Sequence, residues 1–221
     1  MNVRIVSYSQ PLRGEDSNLI NAQDLVAFCA RVSNPSNQLN TETSDKLIRY
    51  LVKNKHWSPL EMVSVCLEVV TTRDIARQLL RHRSFSFQEF SQRYADPVKE
   101  LNFVTREARL QDPKNRQNSI EIHNKLLQEQ WVSHQQEVID LAREKYEWAI
   151  RSGIAKEQAR VVLPEGLIES KLYVNGTLRS WIHYIQLRSA SGTQKEHIEI
   201  AKACATVISD IFPLADEFVE Q

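Results

Sequence analysis

Residues 64–72 read SVCLEVVTT, a stretch rich in β-branched side chains and bounded by turn-forming residues. This composition predicts a strand. Thr71 or Thr72 then stands where the N-cap of a helix is expected. Apolar residues follow at helical spacing and predict one inward face, made by Ile75, Ala76, Leu79 and Leu80. A strand that runs directly into a helix is the first sign of a mixed fold.

The same reasoning extends outward along the chain. We expect further strands at 3–8, 98–104 and 169–175 (ESKLYVN). We expect helices at 24–32, 44–54, 121–152, 154–163, 178–189 and 193–211, with Gly153 ending the long one. The polar segments 33–44 and 105–120 read as loops, the second a flexible one. This mixture predicts an α+β fold over 1–221, a single domain whose small, largely antiparallel sheet is covered by helices.

Charge and composition exclude several classes of protein. The 221 residues carry 28 Lys+Arg against 28 Asp+Glu, so no overall field recruits nucleic acid or a membrane. With 5 glycines there is no GxGxxG and no GxxxxGK[ST] motif. No segment has the apolar core of a signal peptide or the length of a membrane span. We expect a cytoplasmic protein, or one in the host cytoplasm if the source is a virus.

The cysteines and histidines do not predict a metal site. Cys29, Cys66 and Cys204 lie in apolar contexts without a CxxC pair, so we expect core cysteines rather than disulfides or zinc ligands. His82 is flanked by arginines, which oppose a metal cation, and no HExxH is present. We expect no metal.

The segment RQLLRHRSFSFQEFSQRY, residues 77–94, concentrates cationic and hydroxyl side chains. Arg73, Arg77 and Arg81 have i, i+4 spacing, which predicts one helical stripe. Cations at a helix end can be a solvated face that complements the helix dipole. Guanidinium groups close to serine hydroxyls are also what phosphate recognition requires. The repulsion within the stripe favours an anion site.

Residues around this segment support the same interpretation. Phe85 and Phe87 alternate with Ser84 and Ser86, so the phenylalanines are expected to face the core. Arg188 continues an apolar stripe, which predicts either a snorkelling side chain or one paired with a buried anion. Further polar residues in apolar contexts are Arg160, Arg179 and His183. Together they suggest several anionic groups, as in a nucleotide with a dinucleotide-like cofactor.

RHRSFSFQEFS resembles the RHR-x7-S motif of flavin-dependent thymidylate synthases, with Arg81, His82, Arg83 and Ser91 at the motif positions. Further blocks resemble the family in the same order: ARVSNP (30–35), HWSPLE (56–61), ARVVLP (159–164) and NGTLRSWIHYIQLR (175–188). The resemblance implies a homotetramer whose active sites form between subunits. It implies FAD with NADPH as reductant, methylenetetrahydrofolate as one-carbon donor, and dUMP as the substrate that is reductively methylated to dTMP.

The resemblance also assigns residues. The expected FAD contacts are Ser33, Ser58, Arg81, His82, Arg83, Arg179 and His183. The expected dUMP contacts are Arg77, Gln78, Glu89, Phe90, Ser91, Gln92, Arg93, Arg160 and Arg188. Arg188 is the expected catalytic residue that stabilises an ionised uracil ring, and His56 is expected at the folate and flavin entrance. Gln92 stands where the family commonly has glycine, and either Asn175 or Thr177 is expected to meet FAD.

The chemistry implied by the resemblance agrees with the residues. No cysteine has the polar, electropositive surroundings that activate a thiolate, so a flavin route fits better than a cysteine nucleophile. Ser91 has no evident histidine and carboxylate partners, which favours binding over nucleophilic attack. The alternative from another class is a single-stranded RNA-binding module that stacks bases on Phe85, Phe87 and Phe90. The neutral overall charge argues against it.

Overall fold

A computed structural model describes residues 1–12 and 19–220. The strands are β1 Asn2–Tyr8, β2 Ser64–Thr72, β3 Ser86–Glu89, β4 Arg109–Gln111, β5 Ser119–Glu121 and β6 Glu169–Thr177. The helices are α1 Ala22–Ala30, α2 Ser44–Lys53, α3 Arg73–Leu79, α4 Pro97–Glu100, α5 Lys125–Arg151, α6 Lys156–Ala159, α7 Leu178–Ser189 and α8 Lys195–Ser209. Short 3-10 helices span Pro35–Asn37, Ser58–Glu61, Arg160–Val162 and Pro213–Phe218.

Four strands form one antiparallel sheet in the order β1-β2-β6-β3. β2 is central and pairs with β6 over its whole length, from Ser64 opposite Thr177 to Thr72 opposite Glu169. β3 covers the other edge of β6. The predicted α+β class with a small antiparallel sheet is confirmed.

One face of the sheet carries the main core. Val65, Leu67 and Val69 alternate along β2 and are fully buried, as are Leu172 and Val174 on β6. α7 and α8 cover this face with buried aromatic and aliphatic side chains, among them Trp181, Tyr184, Ile200 and Cys204. The indole Nε1 of Trp181 donates a hydrogen bond to the carbonyl oxygen of Val65 at 3.0 Å. This contact fixes α7, which carries several predicted site residues, on the central strand.

Gly176 lets the segment between α3 and β3 approach the sheet. A Cβ at this position would lie 2.3 Å from Cδ1 of Phe85, far inside van der Waals contact. The Phe85 ring is buried and packs against Trp181 with ring centroids 4.5 Å apart. Phe87 is partly buried against the same core, so both phenylalanines face it as expected.

Several sequence predictions about local structure are wrong. Residues 97–100 form α4 instead of the strand expected over 98–104, because Pro97 starts the helix and the Asp96 carboxylate accepts from the Val98 amide at 3.0 Å. A single bridge between Phe103 and Ile168 is the β pairing there. The stripe Arg73–Arg77–Arg81 also breaks, since α3 ends at Leu79.

Residues 105–120 contain the β4–β5 hairpin instead of an irregular loop. Side chains satisfy its backbone: the Gln128 amide bonds both the N–H and the carbonyl of Ala108, at 2.7 and 2.9 Å. In the turn, the Asp112 carboxylate accepts from the amides of Lys114 and Asn115. Polar side chains thus build the hairpin, which composition alone reads as loop.

The long helix begins at Lys125, later than predicted, because Asn124 caps it by accepting from the Leu127 amide at 3.1 Å. Its buried face consists of Gln135, Ile139, Ala142, Tyr146 and Ala149. Trp131 and Val138, although apolar, lie on the exposed face. Within the part of the chain that is described, no helix combines the length and apolar character needed to cross a membrane.

Candidate active site

The RHR segment forms a tight turn between α3 and β3. The His82 amide donates to the Leu79 carbonyl at 3.1 Å, and the Phe85 amide donates to the His82 carbonyl at 3.2 Å. Phe85 anchors the turn in the core, while Arg81 and Arg83 on either side of His82 are exposed. Neither arginine makes an ion pair with a residue in 1–12 or 19–220. Two uncompensated cations therefore flank a half-buried imidazole.

His82 holds Arg188. The Nε of Arg188 donates to Nε2 of His82 at 2.9 Å, so the imidazole carries its proton on Nδ1. Burial, and then the charge of Arg188, lower the pKa of His82 to about 4. A neutral imidazole can accept this hydrogen bond without cancelling the guanidinium charge. The partner of Arg188 within the described residues is thus a neutral ring, and the expected pairing with a buried anion stays a prediction for its terminal nitrogens.

A second group of predicted residues lies on α3 and the adjoining strands. Arg77 Nη2 contacts Glu165 Oε1 at 2.9 Å. Glu89 accepts a hydrogen bond from the Ser170 hydroxyl at 2.7 Å and lies 3.3 Å from the buried Arg73 guanidinium. Arg73, which is not among the residues expected to bind dUMP or FAD, is thus the partner that holds Glu89 in place.

Gln78 points toward α8 and its flanking loop. Its Nε2 donates to Gln194 Oε1 at 2.8 Å, and its Oε1 lies 3.2 Å from His197 Nδ1. Sequence reasoning missed both neighbours. His197 interrupts an apolar stripe that continues through Ala201, Cys204 and Ile208, a pattern that could have identified it.

The loop after β3 presents Ser91 and Arg93. The Ser91 hydroxyl accepts from the Arg93 amide at 3.3 Å, and the Ser91 carbonyl accepts from Tyr94 and Ala95 amides at 3.1 Å. The Phe90 amide donates to the Lys171 carbonyl at 2.8 Å, which ties the loop to β6. These hydrogen bonds form a turn that presents an exposed cation, Arg93. Its guanidinium lies 3.1 Å from the Glu157 carboxylate.

Gln92 does not point outward. Its side chain is buried, and Nε2 has no hydrogen-bond partner among the described residues. The large side chain that replaces the family's common glycine is thus folded inward, where it fills the base of the loop.

The remaining predicted FAD residues gather near the start of α7. The Arg179 guanidinium contacts the Glu61 carboxylate. The His183 ring lies edge-on to Trp57 with centroids 4.3 Å apart. Burial, and then the Arg179 charge, lower the pKa of His183. Ser58 begins the 3-10 helix beside this group, so the HWSPLE block and α7 meet as the resemblance implies.

Ser33, His56 and Arg160 stand apart from the RHR turn. No hydrogen bond within the described ranges joins them to Arg81, His82 or Arg83. Ser33 and His56 are exposed, and Arg160 is half-buried at the start of its 3-10 helix. One chain therefore joins only part of the predicted set through direct hydrogen bonds.

The three cysteine thiols lie in surroundings that disfavour a thiolate. Burial raises the pKa of the thiols of Cys29, Cys66 and Cys204, which disfavours a thiolate. In residues 1–12 and 19–220 no group of three or more His, Cys, Asp or Glu side chains is arranged to hold a metal ion.

Two guanidinium groups without a carboxylate partner among the described residues flank a neutral histidine in an α+β protein, beside an antiparallel sheet covered by helices; such a site is suited to an anionic ligand. The family described as "Thymidylate synthase complementing protein" matches residues 17–214. A probable flavin-dependent thymidylate synthase of Paramecium bursaria Chlorella virus 1 is 43% identical over 213 residues, 96% of each chain. A flavin-dependent thymidylate synthase of Synechocystis sp. is 44% identical, also over 96% of each chain.

The fold has solved counterparts as well. A UMP/dUMP methylase, PolB, from Streptomyces cacaoi bound with 5-Br dUMP superposes with a TM-score of 0.80 at 27% identity. The match covers 98% of this chain and 93% of that one. The chain belongs to the flavin-dependent thymidylate synthase family. The family predicted from RHR-x7-S is confirmed, and the RNA-binding alternative is not supported.

Proposed function

We propose that this protein reductively methylates dUMP to dTMP, with methylenetetrahydrofolate as the one-carbon donor and FAD, reduced by NADPH, as the hydride source. The observation that carries the proposal is the Arg188–His82 contact of 2.9 Å beside the RHR-x7-S motif. It leaves a partly buried guanidinium with its full charge, which is what stabilising a negatively charged pyrimidine requires.

The exposed cations of the RHR turn fit the diphosphate of FAD. Arg81 and Arg83 have no carboxylate partner among the described residues, so a phosphate group would meet unoccupied donors. Ser33, Ser58, Arg179 and His183 complete the proposed flavin site. When bound and reduced, FAD supplies the hydride for the reaction.

The dUMP site combines the cations and hydroxyl of the two turns. Arg77, Ser91, Arg93 and Arg160 would bind the phosphate and sugar, together with Gln78, Glu89, Phe90 and Gln92. The ion pairs Arg77–Glu165 and Arg93–Glu157 are about half exposed at each partner. Exchanging such a carboxylate for a phosphate has a small cost, since exposed pairs contribute only ~0–1 kcal/mol.

Arg188 would act directly on the substrate. Its Nε is held by His82, which leaves the two terminal nitrogens of the planar guanidinium for the ionised uracil ring. His82 has a pKa of about 4, so it stays neutral near pH 7 and does not repel the arginine. His56, exposed at the end of α2, is proposed to line the folate entrance.

We also propose a homotetramer with shared active sites, and the exposed face of α5 supports it. Trp131 and Val138 repeat at seven residues, and so do Leu141 and Trp148; these four side chains are 44%, 48%, 55% and 57% exposed. This a/d-type spacing matches a helix seam that packs on another helix. Three free cysteines fit the proposed cytoplasmic location, where thiols stay reduced.

The absorbance spectrum of the purified protein tests the cofactor and substrate together. We expect flavin bands after addition of FAD, bleaching by NADPH, and a change in the bleaching rate when dUMP is added. A single-stranded oligonucleotide serves as the control and should leave the spectrum unchanged. A protein that binds no flavin under these conditions would contradict the proposal.

A further inference from the structure

His197 is a buried histidine that the proposed reaction does not use. It lies on α8, is completely inaccessible to solvent, and its Nδ1 is 3.2 Å from Oε1 of Gln78. Its Nε2 is buried without a hydrogen-bond partner among the described residues. A buried nitrogen without a hydrogen-bond partner costs free energy, and the other contact of the ring is where a reason for keeping the residue can be sought.

The contact belongs to a chain of hydrogen bonds that ends at a carboxylate. Gln78 Nε2 donates to Gln194 Oε1 at 2.8 Å, and Gln194 Nε2 donates to Glu196 Oε2 at 2.9 Å. Burial by itself would raise the pKa of Glu196, but hydrogen bonds, first of all from Arg109, lower it. Glu196 is therefore ionised and can only accept.

The carboxylate sets the direction of every bond in the chain. Gln194 must turn its NH2 group toward Glu196 and its oxygen toward Gln78. Gln78 must then turn its NH2 group toward Gln194 and its oxygen toward His197. The last partner has to be a donor, so the proton of His197 sits on Nδ1.

The charge state of His197 agrees with this geometry. Burial, then the positive charge of Arg188 and that of His82, lower its pKa to about 3. His197 is thus a neutral ring with one donor, and that donor is used on Gln78. Its ring also packs near Tyr184, with centroids 5.7 Å apart, which limits its rotation.

We propose that His197 is a positioning residue for nucleotide binding. It fixes the Gln78 amide so that the second N–H of Nε2 is available to an oxygen acceptor of the nucleotide. Without His197 the Gln78 oxygen loses its donor and the amide is held at one end only, through Gln194, so its second N–H is no longer fixed toward the nucleotide. The inference rests on the proposed function, in which Gln78 contacts dUMP.

Three variants test this role through the dissociation constant of dUMP, measured by calorimetry on the FAD-loaded protein. His197→Leu removes the donor, and His197→Asn keeps an amide N–H near the position of Nδ1. Gln194→Leu releases the Gln78 amide from its other end. We expect about fivefold to tenfold weaker dUMP binding for both leucine variants, the effect of one neutral hydrogen bond, and a value within about twofold of the original for His197→Asn.

The double variant His197→Leu/Gln194→Leu provides a readout that a merely structural role would not give. Both residues act through the Gln78 amide. We therefore expect the dUMP dissociation constant of the double variant to be no higher than the higher of the two single-variant constants. Bound FAD per chain should be equal in all four proteins. Unchanged dUMP affinity in His197→Leu, or no recovery in His197→Asn, would overturn the role of His197.

The role of His197 can still be tested if the His197→Leu variant does not fold. If His197→Leu loses its circular dichroism signal, Gln194→Leu and His197→Asn decide, and unchanged dUMP binding in Gln194→Leu overturns the inference. A parent protein that binds FAD but not dUMP contradicts the proposed function itself. If the parent binds dUMP and His197→Leu binds it equally well, only the role of His197 is contradicted.

Discussion

At the scale of single residues, the account depends on Arg188 and the neutral histidine that holds it. We expect Arg188→Ala to lower kcat about 100-fold or more, the typical loss when one preorganised donor to a developing negative charge is removed. Bound FAD per chain and the unfolding midpoint should stay near those of the parent. The matched control is Arg49→Ala, which removes an exposed arginine paired with Glu217. Near-normal turnover of Arg188→Ala would refute the catalytic assignment.

The two buried histidines also predict how stability depends on pH. The folded-state pKa values of His82 and His197 are about 4 and about 3, below the ordinary value of 6.5. Between about pH 6.5 and 4 the unfolded chain therefore binds more protons, so the free energy of unfolding falls as pH is lowered. Urea unfolding at steps across this range measures it. The slope should be shallower in His197→Asn, and an identical slope in both proteins would contradict a buried neutral His197.

At the scale of secondary-structure elements, Gly176 decides how the RHR turn reaches the sheet. Gly176→Ala places a Cβ 2.3 Å from the Phe85 ring, and we expect a loss of about 1–3 kcal/mol in the free energy of unfolding. Gly166→Ala is the matched control, because a Cβ there meets its nearest atoms at 4.0 Å. Denaturant unfolding of both variants measures the difference. Equal stability of the two would show that the Phe85 contact is not tight.

The elements also show what sequence could predict. Strands β1, β2 and β6 and helices α2 and α7 follow from apolar periodicity and turn residues, and the structure places them within a residue or two of the predicted bounds. The β4–β5 hairpin could not be predicted, because Gln128 and Asp112 hold it through side chain–backbone bonds. The same holds for the site: the RHR-x7-S motif identified His82 and the block 175–188 identified Arg188, but their contact joins residues 106 positions apart. Only the fold brings them together.

At the scale of the whole molecule, the exposed face of α5 connects the fold to the proposed assembly. We expect Trp148→Asp to shift the proposed tetramer toward smaller species, since it places a charge in the apolar helix seam, at its C-terminal end. Leu39→Asp changes an apolar side chain that is also exposed, at 41%, but lies far from α5 in sequence, and should leave the assembly unchanged. Sedimentation velocity distinguishes the species. An unaltered tetramer in Trp148→Asp would place the interface elsewhere.

The separate groups of predicted residues in one chain are consistent with sites completed by a second subunit. On that basis Trp148→Asp should also lose turnover. Since α5 contains none of the residues proposed to touch FAD or dUMP, this loss would come from the loss of assembly. Loss of turnover that follows loss of assembly would link the two. Full activity in a dissociated variant would mean that one chain is sufficient.

The most direct test of the central claim is product formation. The purified protein is incubated with FAD, NADPH, methylenetetrahydrofolate and dUMP, and the nucleotides are separated by chromatography. We expect dTMP in the complete mixture, none when NADPH, methylenetetrahydrofolate or dUMP is omitted or when flavin-free protein receives no FAD, and a strongly reduced amount with Arg188→Ala. Absence of dTMP from a folded, FAD-bound protein in the complete mixture would contradict the central claim.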